Sequence, residues 1–383
     1  MRRAFVVVLD ACGVGALPDA ERYGDAGSNT LAHLAEVVGG LELPALAGLG
    51  LGSILPLEGV APAAHPVLHG RLHATGAGKD STAGHWELMG VVQHEPQPTF
   101  PDGFPLEVIT AISELSGRQV ICNLPYNGIG AIEDFGAEHL ASGALIVYTS
   151  QDSVLQIAAH EDVVPTAELH ELCARVRAAL APEHAVGRVI ARPFRGQPGA
   201  LVRTEERKDL SLRPPARSYL QELQADGVPV HAVGKVGSLF AGVGVDVQHA
   251  GATNATALAA TGELIDALEH GLVFTNLVET DQVYGHRHDA PGFAAALQVI
   301  DAAVAGWLER LRDQDDMLIL TADHGCDVTA THTDHTREHV PLLARFAGHR
   351  GRRRDGPMSD VGASVLRWLA GRDVEQLPGS SFL

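Results

Sequence analysis

The stretch AFVVVLD, residues 4–10, is an apolar run of strand length that stops at an acid. Three later apolar runs also lead into polar side chains: residues 230–233 before Gly234 and Lys235, residues 272–278 before Glu279 and Asp281, and residues 317–321 before Asp323 and His324. Apolar residues at helical spacing precede the second run, at 217–224, and separate the last two, at 293–311. Short strands that alternate with helices are typical of a parallel sheet. The sequence therefore predicts an α/β core, with a mostly parallel sheet flanked by helices.

Residues 95–213 have a different pattern. They begin within a proline-rich stretch, HEPQPTFPDGFP, and end near LSLRPP, which are typical of linkers. Between them, residues 144–149 and 188–193 resemble strands, and residues 166–180 resemble a helix. We expect a smaller α+β cap domain at 95–213, inserted into a core domain formed by residues 1–94 and 214–383.

Composition limits the classes of partner. The chain has 383 residues, 45% of them hydrophobic, which is enough for two domains, and a formal net charge of −19. Such a charge disfavours binding to nucleic acid or to an anionic membrane. Four widely spaced cysteines and an N-terminal apolar run too short for a secretion signal favour free thiols in the cytoplasm. No protein partner is predicted.

The strand ends carry the candidate chemistry. Asp10 follows the first run, Asp281 and His286 follow the third, and Asp323 and His324 follow the fourth, while the segment THTDHTREH adds His332, His335 and His339. Ligands of parallel sheets collect beyond the carboxyl ends of the strands, so we expect these groups to converge. Converging carboxylates and imidazoles require a cation, and mixed oxygen and nitrogen ligands suit zinc, manganese or iron. Two such ions can support a phosphoryl transfer.

The segment GKDSTAGHWELMG, residues 78–90, places two hydroxyl side chains next to each other, Ser81 and Thr82. A metal ion can activate such a hydroxyl as a nucleophile. The alternative is that Asp80, Ser81 and Thr82 only cap a turn or a helix. The residues themselves leave both interpretations open.

These motifs together resemble the phosphopentomutase family, within the alkaline phosphatase-like superfamily of metalloenzymes. The resemblance runs nearly end to end, through VVVLDACGVGALPDA, GDAGSNT, the GHWE segment, TSQDSVLQIAAHE, RVIARPF, GKVGSLFAG, the D-x-x-x-G-H-R run from Asp281, TADHGCD and TDHTREHVPLL. It implies an isomerase with an alkaline phosphatase-like core. The enzyme would interconvert ribose 1-phosphate, or its 2-deoxy form, with the 5-phosphate. It would use two Mn²⁺ ions, a phosphorylated hydroxyl residue and a 1,5-bisphosphate intermediate, and a sugar bisphosphate such as glucose 1,6-bisphosphate would prime it.

The resemblance also assigns roles to residues. It implies one ion held by Asp10, Asp323, His324 and the nucleophile, and a second held by Asp281, His286 and His335. Related enzymes place a hydroxyl residue three positions before Gly-His, which selects Ser81 over Thr82 here. The residues implied for the substrate are Ser150, Asp152, Arg192, Arg207 and Lys235, with Arg203 as an alternative to Arg207. Glu279 and Cys326 replace the family's usual aspartate and asparagine, and neither is assigned as a ligand.

Other functions share some of these features. A metal-dependent phosphomonoesterase or phosphodiesterase with the same core is the nearest alternative. Cofactor-independent phosphoglycerate mutase has the same core without the TDHTREHVPLL or GHRHD wording. A non-catalytic metal-buffering protein would also be rich in acids and histidines.

Overall fold

A computed structural model of the chain describes residues 1–150, 153–349 and 351–383. The chain forms two compact units. The core comprises Met1–Glu95 and Pro214–Leu383, and the insert comprises Pro96–Arg213. Strands and helices are numbered along the whole chain.

The core contains an eight-stranded sheet. Its strands are β1 (Arg3–Leu9), β2 (Leu68–His73), β9 (Val230–Val233), β10 (Val247–His249), β11 (Gly271–Leu277), β12 (Asp316–Thr321), β13 (Val340–Arg345) and β14 (Gly356–Pro357). The four apolar runs of the sequence are β1, β9, β11 and β12, so these predicted strands are confirmed.

Strand β1 lies inside the sheet, whose order is β10-β9-β11-β1-β12-β13-β2-β14. It pairs in parallel with β11 on one side and with β12 on the other, and β9 and β10 continue the parallel arrangement. Strand β13 runs antiparallel to both β12 and β2. All seven residues of β1 are buried, which explains its continuous apolar sequence. The predicted mostly parallel α/β core is confirmed.

Nine α-helices belong to the described part of the core: α1 (Thr30–Val38), α2 (Pro44–Leu49), α3 (Leu51–Ile54), α4 (Ser81–Leu88), α8 (Tyr219–Ala225), α9 (Val236–Leu239), α10 (Asn254–Ala267), α11 (Ala290–Leu308) and α12 (Asp360–Ala370). Helix α10 packs against β9 and β11, and α12 packs against β1 and β11. Among the described residues, α11 is the one helix long and apolar enough to cross a membrane. It packs against α1, α2 and α10, as a core helix does.

The insert is a second, smaller α+β unit, as predicted. Its strands are β3 (Val120–Pro125), β4 (Leu145–Thr149), β5 (Val154–His160), β6 (Arg188–Arg195), β7 (Val202–Arg203) and β8 (Lys208–Ser211), and its helices are α5 (Leu106–Ser116), α6 (Gly128–Ser142) and α7 (Thr166–Ala179). Alternate residues of β4 enter two hydrophobic clusters. Leu145 and Val147 pack with residues of α5 and α7, whereas Ile146 and Tyr148 pack with residues of α6. Both faces of this mixed sheet are therefore covered by helices.

Candidate active site

Four neighbouring parallel strands of the core end in polar residues. Lys235 follows β9, Asp281 follows β11, Asp10 follows β1 directly, and Asp323 follows β12. After Asp10 the chain turns sharply at Ala11, whose φ of 64° lies in the left-handed region that non-glycine residues rarely adopt. The Ala11 N–H donates to Asp323 Oδ1 at 3.2 Å. The strained turn thus joins the ends of two adjacent strands.

Asp10, Asp323 and His324 form a first cluster. Their ligand atoms lie within 4.8 Å of one another, and all three side chains are buried. His324 Nε2 lies 3.4 Å from Asp10 Oδ1 and 3.4 Å from Asp323 Oδ2. His324 Nδ1 donates to the Gly325 carbonyl at 3.1 Å, and Nε2 faces the two carboxylates. This is the arrangement of a metal ligand with its outer partner.

Asp281, His286 and His335 form a second cluster. Asp281 Oδ2 lies 3.4 Å from His286 Nε2, and its Oδ1 lies 3.4 Å from His335 Nε2. His286 Nδ1 donates to the Thr333 carbonyl at 2.6 Å, so its Nε2 also faces a carboxylate. The rings of His324 and His335 are 4.0 Å apart, centroid to centroid, and join the two clusters.

Several ligand atoms in the two clusters are buried without a hydrogen-bond partner among the described residues. They are Asp10 Oδ1, Asp281 Oδ1, Asp323 Oδ2 and His335 Nε2. Most buried polar atoms in proteins have a partner, so a concentration of exceptions requires an explanation. Divalent cations would satisfy all of these atoms at once. The residues therefore fit a metal centre with nitrogen and oxygen ligands.

The ionisable groups of the first cluster depend strongly on one another. Burial and the neighbouring Asp323 raise the pKa of Asp10 well above its usual value. Burial also acts to raise the pKa of Asp323, but His324 and His85 outweigh it and lower the pKa to about 2. Burial acts to lower the pKa of His324, but Asp323 and Asp10 raise it to about 9. Positive charge is thus favoured between the two carboxylates, as a bound cation requires.

The second cluster also favours positive charge, next to the Asp281 carboxylate. Burial opposes ionisation of its carboxyl group, but the neighbouring imidazoles of His286 and His335 outweigh burial and hold its pKa well below the usual range. Burial and Asp281 together raise the pKa of the nearby Cys326 thiol.

Ser81 is the first residue of α4 and faces the first cluster. Its Oγ lies 3.2 Å from His324 Nε2. Asp80 caps the helix by accepting from the backbone N–H groups of Thr82 at 2.9 Å and Ala83 at 3.1 Å. The capping interpretation is therefore correct for Asp80, and it also leaves the Ser81 hydroxyl beside the histidine.

The loop before Ser81 is fixed by a set of charged residues. Arg337 donates to the Gly78 carbonyl at 2.8 Å and pairs with Asp19 at 3.1 Å. Lys79 Nζ lies 3.2 Å from a carboxylate oxygen of the buried Asp25. These contacts hold the loop that leads into α4.

Two residues that contact the clusters were not assigned from the sequence. Asn276 Nδ2 donates to Asp10 Oδ2 at 2.9 Å from inside the apolar strand β11, where no local signal marks it. His85 Nδ1 lies 2.8 Å from the Ser81 carbonyl and 3.2 Å from Asp323 Oδ2. His85 belongs to the GHWE segment, so the sequence marks its position, but the motif alone assigns the histidine no role.

Other polar residues of the motifs have different partners. His332 Nε2 pairs with Asp25 at 3.0 Å, and the His339 ring packs edge-on against His73. Glu279 accepts from the Asn254 N–H at 2.7 Å, at the start of α10. Of the three histidines in THTDHTREH, the structure brings His335 alone into the two clusters.

Comparisons with known proteins identify the family. A family model described as the metalloenzyme superfamily matches residues 2–371. A phosphopentomutase of Caldanaerobacter subterraneus subsp. tengcongensis is 49% identical, over 90% of this chain and 87% of the relative. One from Anaeromyxobacter dehalogenans (strain 2CP-1) is 47% identical, over 100% of this chain and 98% of the relative. The chain belongs to the phosphopentomutase family.

Phosphopentomutases are isomerases, specifically intramolecular phosphotransferases, and this predicted enzyme class is confirmed. A solved structure of a Pyrococcus horikoshii protein has the same fold, with a TM-score of 0.51 at 12% identity over 97% of this chain and 98% of the other. Dependence on metal follows from the metalloenzyme match and from the two clusters of ligand atoms. The four cysteines, all among the described residues, are free thiols, as predicted.

The insert of this phosphopentomutase family member holds most of the residues predicted to bind substrate. Arg192 donates to Gln156 Oε1 at 3.0 Å, and Arg207 makes a two-pronged ion pair with Asp209 at 2.5 and 2.6 Å. Burial and the positive charge of Arg207 lower the pKa of Arg192. Asp152 lies outside the described residues.

Arg203, the alternative to Arg207, lies in the same part of the insert. Burial raises the pKa of the Tyr148 hydroxyl, and Arg192, Arg203 and Arg207 act in the opposite direction. Ser150 lies at the end of β4, next to Thr149, whose Oγ1 donates to the Ser150 carbonyl at 3.4 Å.

Proposed function

We propose that this enzyme interconverts ribose 1-phosphate, or 2-deoxyribose 1-phosphate, with the corresponding 5-phosphate through a phosphoserine at Ser81 and a pentose 1,5-bisphosphate. The observation that carries this proposal is the position of Ser81 Oγ, 3.2 Å from His324 Nε2 and therefore beside the first cluster. The phosphopentomutases that this chain resembles over most of its length support the same reaction. The substrate is a small molecule, and we expect the enzyme to act in the cytoplasm.

The two clusters would hold two Mn²⁺ ions. The first cluster and Ser81 would bind one ion, and the second cluster would bind the other. When bound, such ions offset the negative charge on the transferring phosphoryl oxygens and favour the ionised serine hydroxyl. The buried, unpartnered carboxylate oxygens support this assignment, since each can bind a cation without losing a protein hydrogen bond.

In the reaction, the phosphoryl group moves from Ser81 to the free hydroxyl of the pentose monophosphate. The bond between phosphorus and Ser81 Oγ breaks, a bond to the sugar oxygen forms, and the proton of the sugar hydroxyl is taken up by the departing Ser81 oxygen, which restores the serine hydroxyl. The resulting 1,5-bisphosphate then returns its other phosphate to Ser81. A sugar bisphosphate such as glucose 1,6-bisphosphate would supply the first phosphoryl group.

We propose that the insert binds the sugar phosphate. Arg192 and Arg207 would bind phosphate oxygens, because a guanidinium group offers two parallel N–H donors. Ser150 and Asp152 would contact the sugar, and Lys235 of the core would contribute a further positive charge. Support for Lys235 comes from its effect on Asp10. Burial is the largest influence on the pKa of Asp10 and raises it, whereas the positive charge of Lys235 acts to lower it.

Mass spectrometry tests the central step. The full chain is incubated with Mn²⁺ and glucose 1,6-bisphosphate and digested with trypsin, which cuts after Lys79 and releases a peptide that begins at Asp80. Fragmentation of this peptide should place the phosphate on Ser81. The S81A variant should lack the phosphate and essentially all isomerase activity, whereas the T82A variant should keep both. Phosphate on Thr82, or full activity in S81A, would contradict the proposal.

A further inference from the structure

Cys326 lies beside the second cluster. Its Sγ, a carboxylate oxygen of Asp281 and a ring nitrogen of His286 all lie within 4.8 Å of one another. The residue is buried, and its backbone N–H donates to Thr30 Oγ1 at 2.9 Å, which fixes the main chain at this point. Cys326 is therefore held within reach of two residues of the second cluster.

The thiol packs directly against the turn that carries both of these residues. Gly285 lies between Asp281 and His286, and a β-carbon at this glycine would lie 3.1 Å from Cys326 Sγ. The sulfur makes a weak contact with the Asp334 carbonyl at 3.9 Å, which leaves its lone pairs available. The absence of a side chain at Gly285 thus gives the sulfur access to the turn.

We propose that Cys326 is an additional ligand of the second metal ion and gives that site a preference for thiophilic ions, such as Zn²⁺, Cd²⁺ and Co²⁺, over Mn²⁺. This inference rests on the metal site of the proposed function. Zinc binds sulfur at about 2.3 Å and nitrogen at about 2.0–2.1 Å in a tetrahedral arrangement, so two ligand atoms of one ion lie roughly 3.6 Å apart. The ligand atoms here lie within 4.8 Å of one another, so they would close by at most about 1.2 Å around a common ion.

Charge and softness both favour this assignment. A divalent cation bound by both groups would offset the unfavourable effect of the Asp281 carboxylate on a neighbouring thiolate. The thiol proton leaves to the solvent as the ion binds. Thiolate is a soft ligand that selects zinc-like ions, whereas carboxylate and imidazole alone also accept manganese. One sulfur is therefore enough to change which ion the second site prefers.

Absorption spectroscopy with Co²⁺ tests the proposal. The metal-free full chain is titrated with Co²⁺, and the near-ultraviolet region is followed for a thiolate-to-cobalt charge-transfer band, while bound cobalt is counted by elemental analysis. The C326S variant changes the sulfur to oxygen at nearly constant size. The matched control is C12S, which alters the other buried cysteine of the core.

We expect the band in the unmodified protein and in C12S, and its loss in C326S with two cobalt ions still bound. In competition experiments, the ratio of Cd²⁺ affinity to Mn²⁺ affinity should be at least about tenfold lower in C326S than in the unmodified protein. Loss of an outer partner of a metal ligand already lowers affinity by about tenfold, and loss of a direct ligand should cost no less. Two bound ions without a band in the unmodified protein, or a band that persists in C326S, would overturn the role of Cys326 and leave the metal centre intact. Failure of the chain to bind any ion would overturn both this inference and the proposed metal site.

Discussion

Gly84 packs directly against the turn that carries Asp323 after β12. A β-carbon at this position would lie 2.3 Å from the Asp323 carbonyl oxygen and 2.7 Å from Asp323 Cβ. Backbone and a buried side chain cannot move aside as a flexible surface side chain can. The G84A variant must therefore separate α4 from the Asp323 turn by roughly 0.7 Å before this contact reaches even 3.0 Å.

This separation should lower the catalytic rate while the chain still folds. The displaced helix begins at Ser81, so the distance between Ser81 Oγ and His324 Nε2, 3.2 Å in the unmodified protein, should increase. Misplacement of a reacting group by about 1 Å can lower a rate by about 10²-fold. Added volume in a packed site costs about 1–3 kcal/mol of the free energy of unfolding. We therefore expect G84A to fold, with an activity about two orders of magnitude lower.

The assay measures the initial rate of isomerisation at saturating Mn²⁺, together with the midpoint of thermal unfolding. The matched control is G306A, because a β-carbon at Gly306 in α11 meets no atom within 4 Å. That substitution should leave the rate unchanged and stabilise the helix by about 0.5–1 kcal/mol. A rate for G84A within twofold of the unmodified enzyme would show that the approach of α4 to Asp323 does not position Ser81.

Three further predictions concern the metal centre and the insert. Chelation should abolish isomerase activity and lower the calorimetric unfolding midpoint, since an ion at 100 times its dissociation constant stabilises a protein by about 2.7 kcal/mol; an unchanged midpoint would argue against two buried ions. The N276L variant removes the donor to Asp10 and should weaken Mn²⁺ affinity in a titration by about 10–100-fold, and unaltered affinity would show that this outer contact is dispensable. Burial lowers the pKa of His139, whose Nε2 accepts from the His160 N–H at 2.8 Å. Because the folded insert disfavours the protonated ring, it should lose stability as the pH falls below about 6.5, the pKa of an unfolded histidine. The protection factor of the His160 amide, which is its intrinsic exchange rate at each pH divided by the observed rate, should fall over that pH range. H139Q keeps an acceptor and cannot titrate, so it should flatten the dependence.

The elements of this fold could be predicted from the sequence because their signals are local. The continuous apolar run of β1 indicates a strand buried on both faces, and the helical spacing of apolar residues indicates α11. Asp10, directly after β1, and Asp323, two residues after β12, are candidate ligands by their positions in the sequence alone. The resemblance to a family added Ser81 by its register with Gly-His, and the structure places that hydroxyl beside His324.

Local pattern could not supply the contacts across the sheet. Asn276 lies within an apolar strand and has no distinctive neighbours in sequence, yet its amide donates to Asp10 on the adjacent strand. In the sequence, Cys326 is only a departure from a family motif. Its proximity to Asp281 and His286 depends on how the Gly285 turn packs against it, which the sequence does not indicate.

The sequence by itself determined which segments form strands and helices and which chemical groups lie at their ends, because periodicity and composition act over a few residues. The tertiary structure alone decided that the ends of β9, β11, β1 and β12 lie side by side. That order depends on parallel pairing between segments far apart in the chain, and burial then gives the converging carboxylates and imidazoles their altered affinity for protons and cations.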